Sequence, residues 1–250
     1  MHRIFIDREE LYDDGSNLRV FGARAHHMKN VLRMRPGDAF IACDGAYTDY
    51  SCTVISVAKD SLEASVISAS QNASKKDYTL TLCQAMPKGA KIDFVLQKAT
   101  ELGADKIGIF FSARTDVKYD EAQQQKRLSR FDRIVEEAAN QCGAGAIPAV
   151  RIFKDFDAML ASLDPAAKVI MAYEEEKTTT FKSVLRGNNS TNLVFIVGPE
   201  GGFDAKEAQR AKEAGAVLVS LGRRILRTET AGMFLLSCVS YEKQEEGGQE

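Results

Sequence analysis

The sequence predicts an α/β protein in two parts, a small N-terminal β-barrel and a C-terminal domain built on a parallel sheet. The first part of the chain contains many short strand patterns and a single helix, which is typical of a small barrel. The later part alternates short apolar runs with helical periodicity, which is typical of a βα domain. A polar stretch at residues 71–77 is typical of a linker, so the domains are placed at residues 1–72 and 73–250.

The N-terminal part shows strand patterns at residues 3–6, 39–43, 47–57 and 62–67. The second and third of these predict a hairpin around the Asp44-Gly45 turn. Residues 23–33 predict a short basic helix, which Pro36-Gly37 ends. This arrangement of several strands and one helix predicts the barrel.

The C-terminal part shows strand patterns at residues 79–83, 106–111, 169–172, 193–197 and 217–221. A helix with apolar residues at helical spacing precedes Gly103, which ends it. A longer helix carries one apolar stripe, interpreted as core or dimer contact, at Leu128, Phe131, Val135, Ala138 and Cys142. Ordinary topology rules make this alternation an open, doubly wound parallel sheet. The polar tail at 242–250 is expected to be frayed.

Two glycine turns near the C-terminus are the most informative feature. Residues 197–203 read Val-Gly-Pro-Glu-Gly-Gly-Phe, and residues 221–231 begin Leu-Gly-Arg-Arg-Ile-Leu-Arg. Gly201 and Gly202 allow close backbone approach or a positive φ. The strands before these turns are predicted to be neighbours, so their loops should meet at the carboxyl edge of the sheet, where they can cradle one small ligand.

The helix after the first turn has clear start and stop signals. Asp204 is a suitable N-cap, with Glu207 three residues on as its capping-box partner, and Gly215 is a suitable stop. No Gly-Lys-Ser/Thr follows the glycines, which excludes a P-loop, and Pro199-Glu200 breaks the G-x-G-x-x-G dinucleotide fingerprint. On spacing alone, an ordinary strand–turn–helix explains the pattern as well as a ligand site does.

Composition excludes several classes of protein. Hydrophobic residues make up 44% of the chain and charged residues 27%, as in ordinary globular proteins. No apolar run approaches the roughly 20 residues of a membrane span, and the N-terminus lacks the apolar core of a signal peptide. The five cysteines are scattered without a C-x-x-C pair, so we expect neither a metal site nor disulfides. Cys43 and Cys52 lie in predicted neighbouring strands, yet buried, reduced thiols in a cytoplasmic protein fit better.

Charge is distributed unevenly along the chain. The net charge of −2 argues against a general polyanion binder. However, residues 15–37 contain no acidic residue, and their cations and histidines are Arg19, Arg24, His26, His27, Lys29, Arg33 and Arg35. This basic stretch is interpreted as a patch that contacts RNA phosphates, with a solvated surface helix as the alternative.

Three further blocks give the chain a family resemblance. Residues 85–89 read Ala-Met-Pro-Lys-Gly, residues 97–103 read Gln-Lys-Ala-Thr-Glu-Leu-Gly, and residues 133–141 end in Ala-Asn-Gln. With the block from His27 to Asp38 and the two glycine turns, they resemble the ribosomal RNA small subunit methyltransferase E family, within the SPOUT class of knotted methyltransferases. The family carries an arginine soon after the Gln, whereas residues 142–146 here contain none.

The resemblance implies both a fold and an activity. It implies a PUA-like RNA-binding barrel, and a SPOUT domain whose last strands and C-terminal helix form a trefoil knot. The cofactor it implies is S-adenosylmethionine, and the product is N3-methyluridine in 16S rRNA of the 30S subunit. It also implies a homodimer, because the class builds its site at a subunit interface.

Site residues follow from placing this reaction on the glycine turns. Cofactor contacts are expected from Ala172, Tyr173, Glu174, Val197, Gly198, Glu200, Gly202, Leu221, Gly222, Ile225 and Leu226. Arg227 is expected to stabilise the developing uridine anion, and Glu229 or Glu200 to accept its proton. Helix capping is the alternative role for Glu229. RNA contacts are expected from Arg19, Arg24, His27, Lys29, Arg33, Arg35, Lys88 and Arg114.

Two other functions remain open from the residues. One is a nucleotide-dependent enzyme of another class, such as an oxidoreductase, which a thermal-shift comparison of S-adenosylhomocysteine with NAD would separate. The other is a non-catalytic RNA-binding or ribosome assembly protein with a vestigial cofactor site, which the missing arginine after Gln141 favours.

Overall fold

Two six-stranded sheets organise the chain. The computed structural model describes residues 1–115, 121–186 and 188–243. These residues form two units, one of 1–75 with 139–147 and one of the remaining described residues. The α/β class predicted from the sequence is confirmed, and the domain boundary at residue 72 stays a prediction.

The sheet of the first unit is mixed. Its strands are β1 (His2–Phe5), β2 (Leu11–Tyr12), β3 (Asn17–Phe21), β4 (Ala39–Cys43), β5 (Thr48–Val57) and β6 (Ser61–Gln71). They lie in the order β1-β4-β5-β6-β3-β2, with β1 parallel to β4 and the other pairs antiparallel. The predicted hairpin is confirmed as β4 and β5. Strand β3 was not predicted. Its Leu18 and Val20 are buried in the alternating pattern of a strand, but Arg19 between them was read as part of the basic stretch.

One helical segment covers the core of this sheet. Helix α1 (Gly22–His26) continues directly into a π-helical turn at His27–Val31, which agrees with the predicted basic helix. Met28 is fully buried against sheet residues such as Phe40 and Leu62. Cys43 and Cys52 are both buried free thiols, as expected, and burial raises the pKa of each to about 11.

The sheet of the second unit is entirely parallel. Its strands are β7 (Thr79–Ala85), β8 (Lys106–Phe110), β9 (Ala149–Ile152), β10 (Lys168–Ala172), β11 (Asn192–Val197) and β12 (Val217–Val219). Its order is β12-β10-β11-β7-β8-β9. The helices are α2 (Lys91–Glu101), α3 (Glu121–Cys142), α4 (Phe156–Ala161), α5 (Phe181–Leu185), α6 (Ala205–Glu213) and α7 (Thr228–Glu242). Strand β9 and helices α4 and α5 were not predicted.

Both faces of the parallel sheet are buried. In β11, Phe195 packs into a cluster with residues of α2, α3 and α7, whereas its neighbour Ile196 packs with residues of α4 and α6. This alternation within an unbroken apolar run is typical of a strand covered on both faces. It explains why residues 192–197 are nearly all apolar and fully buried.

One predicted adjacency was wrong. The two strands that precede the glycine turns, β11 and β12, are not neighbours, because β10 lies between them and pairs with both. Strand order in space does not follow chain order, so the sequence alone did not show this insertion. As a result, the loop after β10, which was also predicted to contact the cofactor, lies between the two glycine turns at this edge. The trefoil knot stays an implication of the resemblance, and residues 244–250 of the predicted frayed tail lie outside the described residues.

Candidate functional site

A cavity of about 810 Å³ opens where β10, β11 and β12 end. The loop after each of these three strands contributes to its lining, together with the first turn of α7. A volume of this size fits a ligand as large as a nucleoside derivative. The position is the carboxyl edge of a parallel sheet, where α/β proteins commonly bind ligands.

The residues predicted to contact a cofactor all line this cavity. They are Ala172, Tyr173 and Glu174 after β10, then Val197, Gly198, Glu200 and Gly202 after β11, and Leu221, Gly222, Ile225 and Leu226 after β12. Arg227 lines the cavity as well, whereas Glu229 does not belong to its lining. The structure thus brings the set together, and their contact with a cofactor stays a prediction.

Two of the three glycines in the first turn, Gly198 and Gly202, are required for different reasons. Gly202 has a φ of +66°, and a Cβ there would lie 2.6 Å from Oε1 of Glu174. Gly198 has no positive φ, but a Cβ would lie 3.0 Å from the ring of Phe203. That ring belongs to a cluster with Phe110 and Phe156. Gly198 was predicted to contact the cofactor, and its nearest neighbour in the structure is a side chain packed inside the protein.

A buried polar link holds the floor of the cavity. Gln84 at the end of β7 is fully buried, and its Nε2 donates to Oγ1 of Thr228 over 2.7 Å. The Thr228 hydroxyl in turn donates to the carbonyl of Gly198 over 2.5 Å. Because buried polar groups are costly without partners, this chain fixes the start of α7 against the end of β11.

The capping box predicted for the next helix is present. The Asp204 side chain accepts from the amide of Glu207, and the Glu207 side chain accepts from the amide of Asp204. The Glu207 carboxylate is buried and also accepts from the amide of Ala113, over 2.9 Å. The loop after β8 is therefore attached to the same helix start that supports the glycine turn.

A lysine joins two of the predicted carboxylates. Nζ of Lys91, in the first turn of α2, lies 2.7 Å from Oε1 of Glu200 and 3.5 Å from Oε2 of Glu229. That Glu229 oxygen is buried and has no hydrogen-bond partner among the described residues. Lys91 lines the cavity and was missed from the sequence, because it lies 109 residues before Glu200.

The lysine decides the charge state of Glu200. Burial alone would raise the pKa of this carboxyl group. The hydrogen bonds from Lys91 and from the amide of Lys88 outweigh burial, so the net pKa lies below its ordinary value. The hydrogen bond to Glu200 likewise raises the pKa of Lys91. Glu200 is therefore a stable carboxylate at neutral pH and a poor acceptor of a proton.

The apolar walls of the cavity differ in burial. Leu221 and Leu226 are partly buried and pack against the main core cluster. Ile225, in contrast, is 83% exposed, although it lies at the cavity lining. The turn that carries it also has Gly222 at a φ of +122°.

Three arginines lie in the same turn as this exposed isoleucine. Arg223, Arg224 and Arg227 are all exposed and all line the cavity. Within the described parts of the chain, none of the three guanidinium groups has an ion pair or hydrogen bond. Arg223 and Arg224 were not singled out from the sequence, although they stand in the same motif as Arg227.

Several cations of the N-terminal basic stretch are engaged within their own unit. Arg19 pairs with Glu63 across β3 and β6 over 2.6 Å. Arg24 pairs with Glu10 over 2.9 Å and with Asp7, and it donates to the carbonyl of Phe5. Nζ of Lys29 donates to the carbonyl of Ala58 over 3.0 Å. These side chains shape the unit, which reduces the charge that they offer to RNA.

The other predicted RNA contacts fall into two groups. His27, Arg33 and Arg35 are exposed, and the two arginine side chains have no hydrogen bond or ion pair to any described residue. In the second unit, Arg114 donates to the carbonyl of Gly201 over 2.8 Å and so supports the glycine turn. The backbone amide of Lys88 donates to Glu200. Their contact with RNA stays a prediction.

The described residues contain no cluster of metal-ligand side chains and no helix of the length and apolarity needed to span a bilayer.

Comparison with known proteins places the chain in a family. The RNA methyltransferase domain family matches residues 74–240, and the RNA methyltransferase PUA domain family matches residues 22–67. Ribosomal RNA small subunit methyltransferase E of Bacillus subtilis (strain 168) is 32% identical over 250 residues, covering 98% of each chain. The protein of the same name from Mycobacterium bovis is 30% identical over 234 residues, covering 92% of this chain and 88% of its own.

Solved structures agree with the sequence relatives. The ribosomal RNA small subunit methyltransferase E of Neisseria gonorrhoeae, solved bound to S-adenosyl methionine, superposes with a TM-score of 0.85. It is 30% identical, and the match covers 97% of this chain and 98% of that one. The predicted combination of a PUA-like part and a SPOUT-type part is thereby confirmed. On this evidence, the chain belongs to the ribosomal RNA small subunit methyltransferase E family.

Proposed function

We propose that this protein transfers the methyl group of S-adenosylmethionine to N3 of a uridine in the 16S rRNA of the small ribosomal subunit. As a member of its family, it is an S-adenosylmethionine-dependent rRNA methyltransferase. The observation that carries the proposal for this chain is the convergence of three strand-end loops on one cavity of about 810 Å³.

The lining of the cavity fits this cofactor. Exposed backbone groups at the ends of β10, β11 and β12 provide donors and acceptors for an adenine and a ribose, and Leu221 and Leu226 provide apolar contact. When bound, the cofactor supplies a methyl group on a positively charged sulfur. The tight approach between Gly202 and Glu174 keeps the loops after β10 and β11 close enough to enclose it.

Arg227 is the residue best placed to assist the chemistry. It is the N-cap residue of α7 and lines the cavity, and its guanidinium is not neutralised by any described carboxylate. Uridine N3 must lose its proton to act as a nucleophile, so negative charge develops on the base. A free guanidinium at the cavity stabilises that charge.

The proton of uridine N3 needs an acceptor, and the two carboxylates differ in suitability. Glu200 is already held as a carboxylate by Lys91, so it binds a proton weakly. Oε2 of Glu229 is buried and lies 3.5 Å from Nζ of Lys91, compared with 2.7 Å for Oε1 of Glu200, so the lysine holds Glu229 less closely. We therefore assign the acceptor role to Glu229, acting through a water that reaches from its side chain to the cavity, while Lys91 fixes its orientation.

The acting form is proposed to be a homodimer bound to the 30S subunit in the cytoplasm. A second cavity of about 520 Å³ lies along α7, and its lining includes Phe181, Leu185, Phe234 and Tyr241. Tyr241 is 79% exposed, although it is a large aromatic residue on an otherwise apolar face. An exposed apolar face of this kind is typical of a subunit contact. Sedimentation equilibrium of wild type and of Tyr241→Asp tests it.

Methylation in vitro tests the activity. Purified protein is incubated with radiolabelled S-adenosylmethionine and 30S particles, naked 16S rRNA or naked 23S rRNA, and the RNA is then digested to nucleosides. We expect label in 3-methyluridine from 30S particles or 16S rRNA, and none from 23S rRNA. Binding of S-adenosylhomocysteine without any labelled nucleoside would favour a non-catalytic assembly protein instead.

A further inference from the structure

We propose that Arg223 and Arg224 form a phosphate-binding site at the mouth of the cavity, which holds the RNA backbone beside the acceptor uridine. The inference rests on the proposed function and extends it, since it assigns a substrate contact to residues outside the predicted RNA-binding set. The ligand class is a phosphodiester of a locally unstacked RNA strand.

The cavity lining carries more positive charge than binding of the cofactor requires. Five cationic side chains line the cavity against two anionic ones, which are Glu174 and Glu200. S-adenosylmethionine carries a sulfonium and an ammonium against a single carboxylate, so it is itself a cation. A cationic lining around a cationic cofactor is unfavourable unless a polyanion enters as well.

The excess lies at Arg223, Arg224 and Arg227, not at the lysines. Lys91 is paired with Glu200, and Nζ of Lys177 donates to the carbonyl of Glu174 over 2.5 Å. The three guanidinium groups, in contrast, have no ion pair or hydrogen bond to any residue that the structure describes. Unpaired cations therefore concentrate in one five-residue turn.

The position of the turn selects the ligand. Uridine N3 must reach the cavity, and in a folded RNA only an unpaired nucleotide turned out of the stack offers that atom. The phosphates that flank such a nucleotide stay outside, at the mouth, where Arg223 and Arg224 are exposed. The planar guanidinium binds phosphate oxygens in pairs, which a lysine cannot do as well. In this arrangement Arg227, at the start of α7, faces the uridine base, and Arg223 and Arg224 face the RNA backbone.

A double variant tests this site directly. Arg223→Gln with Arg224→Gln removes two charges and keeps polar side chains of related shape. The matched control is Lys206→Gln with Lys212→Gln, which removes the same charge from exposed positions on α6. For each protein, the affinity for in vitro transcribed 16S rRNA is measured across a series of KCl concentrations, and affinity for S-adenosylhomocysteine is measured by calorimetry.

The site predicts separate effects on RNA and cofactor. The double arginine variant should bind 16S rRNA about 10-fold more weakly, with a log–log salt slope smaller by about 1.4, since each single-strand phosphate contact contributes about 0.7. Its affinity for S-adenosylhomocysteine should match wild type. Arg223→Lys with Arg224→Lys should restore the slope, because charge is kept, but not the full affinity.

Three results would overturn the site. The first is an RNA affinity and salt slope equal to those of the lysine control. The second is an equal loss of S-adenosylhomocysteine affinity, which would assign the arginines to the cofactor. The third is a double arginine variant that is monomeric where wild type is dimeric, with a salt slope equal to that of wild type. That result would assign the two arginines to contact with the partner subunit. Failure of the proposed function looks different, because wild type itself would then form no 3-methyluridine.

Discussion

Two regions of this protein were predicted from the sequence to bind its substrates, and the structure treats them differently. In the second unit, the two glycine turns and the loop after β10 bring every predicted cofactor residue to one cavity. The basic stretch of the first unit has three of its five cations engaged with partners in the same unit, namely Arg19, Arg24 and Lys29. The residues predicted from backbone turns therefore lie together in the structure, whereas those predicted from charge are partly engaged with other residues.

The difference has a physical origin. A glycine turn after a buried strand fixes where backbone groups lie, because strand ends of a parallel sheet share one edge. The number of cations in a stretch of sequence does not show which of them form ion pairs or hydrogen bonds with distant residues in the folded protein. Glu63, which neutralises Arg19, lies 44 residues further along the chain, so the basic stretch looks more available in sequence than it is in space. Besides Arg33 and Arg35, three arginines without described partners lie in the motif that had been interpreted as a cofactor wall, namely Arg223, Arg224 and Arg227.

The largest effect should come from Arg227→Ala, which removes the guanidinium proposed to stabilise the uridine anion. The single-turnover rate of methyl transfer, at saturating S-adenosylmethionine and 30S particles, should fall by about 10²–10³. Affinity for S-adenosylhomocysteine should fall much less. A normal rate would remove Arg227 from the reaction, and an equal loss of cofactor affinity would make it a cofactor contact. Lys206→Ala on α6 serves as the control for an exposed cation.

Gly202→Ala should weaken cofactor binding by changing the shape of the cavity. Its φ of +66° costs a non-glycine residue about 1–2 kcal/mol, and its Cβ would also displace the Glu174 carboxylate at 2.6 Å. We expect about 10-fold weaker binding of S-adenosylhomocysteine by calorimetry, which corresponds to about 1.4 kcal/mol.

Gly215→Ala is the matched control for that substitution. Gly215 has a φ of +87° but open space around a Cβ, and it lies at the end of α6. Gly215→Ala should lower the free energy of unfolding in urea by about as much as Gly202→Ala does, but it should not change the affinity for S-adenosylhomocysteine. If both variants bind S-adenosylhomocysteine like wild type, the turn at Gly202 does not shape the cofactor site.

The basic stretch gives a third, intermediate effect. Arg33→Gln with Arg35→Gln removes cations without described partners, and we expect the log–log salt slope of 16S rRNA binding to fall by about 0.7 for each lost contact. Arg19→Gln with Arg24→Gln removes paired cations, so the slope should change less and the free energy of unfolding should fall more. The reverse ranking of the two variants would show that ion pairs inside the unit open on RNA binding.

Lys91→Met should give the smallest change in the free energy of unfolding, and that change should depend on pH. In wild type the pKa of Glu200 is lower when folded than when unfolded, so its stabilisation is present above the unfolded pKa of about 4.3 and is lost as pH falls through the folded pKa. Wild type should therefore be more stable than Lys91→Met by at most about 1 kcal/mol at pH 7, and this difference should shrink as the pH is lowered below about 4.3. Lys91→Arg should keep the wild-type stability. A difference that does not vary with pH would mean that Lys91 acts by packing alone.

The fold was predictable where local signals were strong. The capping box of Asp204 and Glu207, the hairpin at Asp44, and the alternation of apolar runs with helices all depend on nearby residues, and all were found. The insertion of β10 between β11 and β12 was not found, because it depends on pairing between distant segments. Lys91 was missed for the same reason, since only the packed fold brings the first turn of α2 to Glu200.

A crystal structure of the protein with S-adenosylhomocysteine tests the central claim most directly, namely that the three strand-end loops form the cofactor site. We predict the ligand in the cavity between residues 172–174, 197–202 and 220–226, with its sulfur facing Arg227 and with Arg223 and Arg224 left exposed at the mouth. A ligand bound elsewhere on the chain, or one whose carboxylate is held by Arg223 and Arg224, would contradict the account.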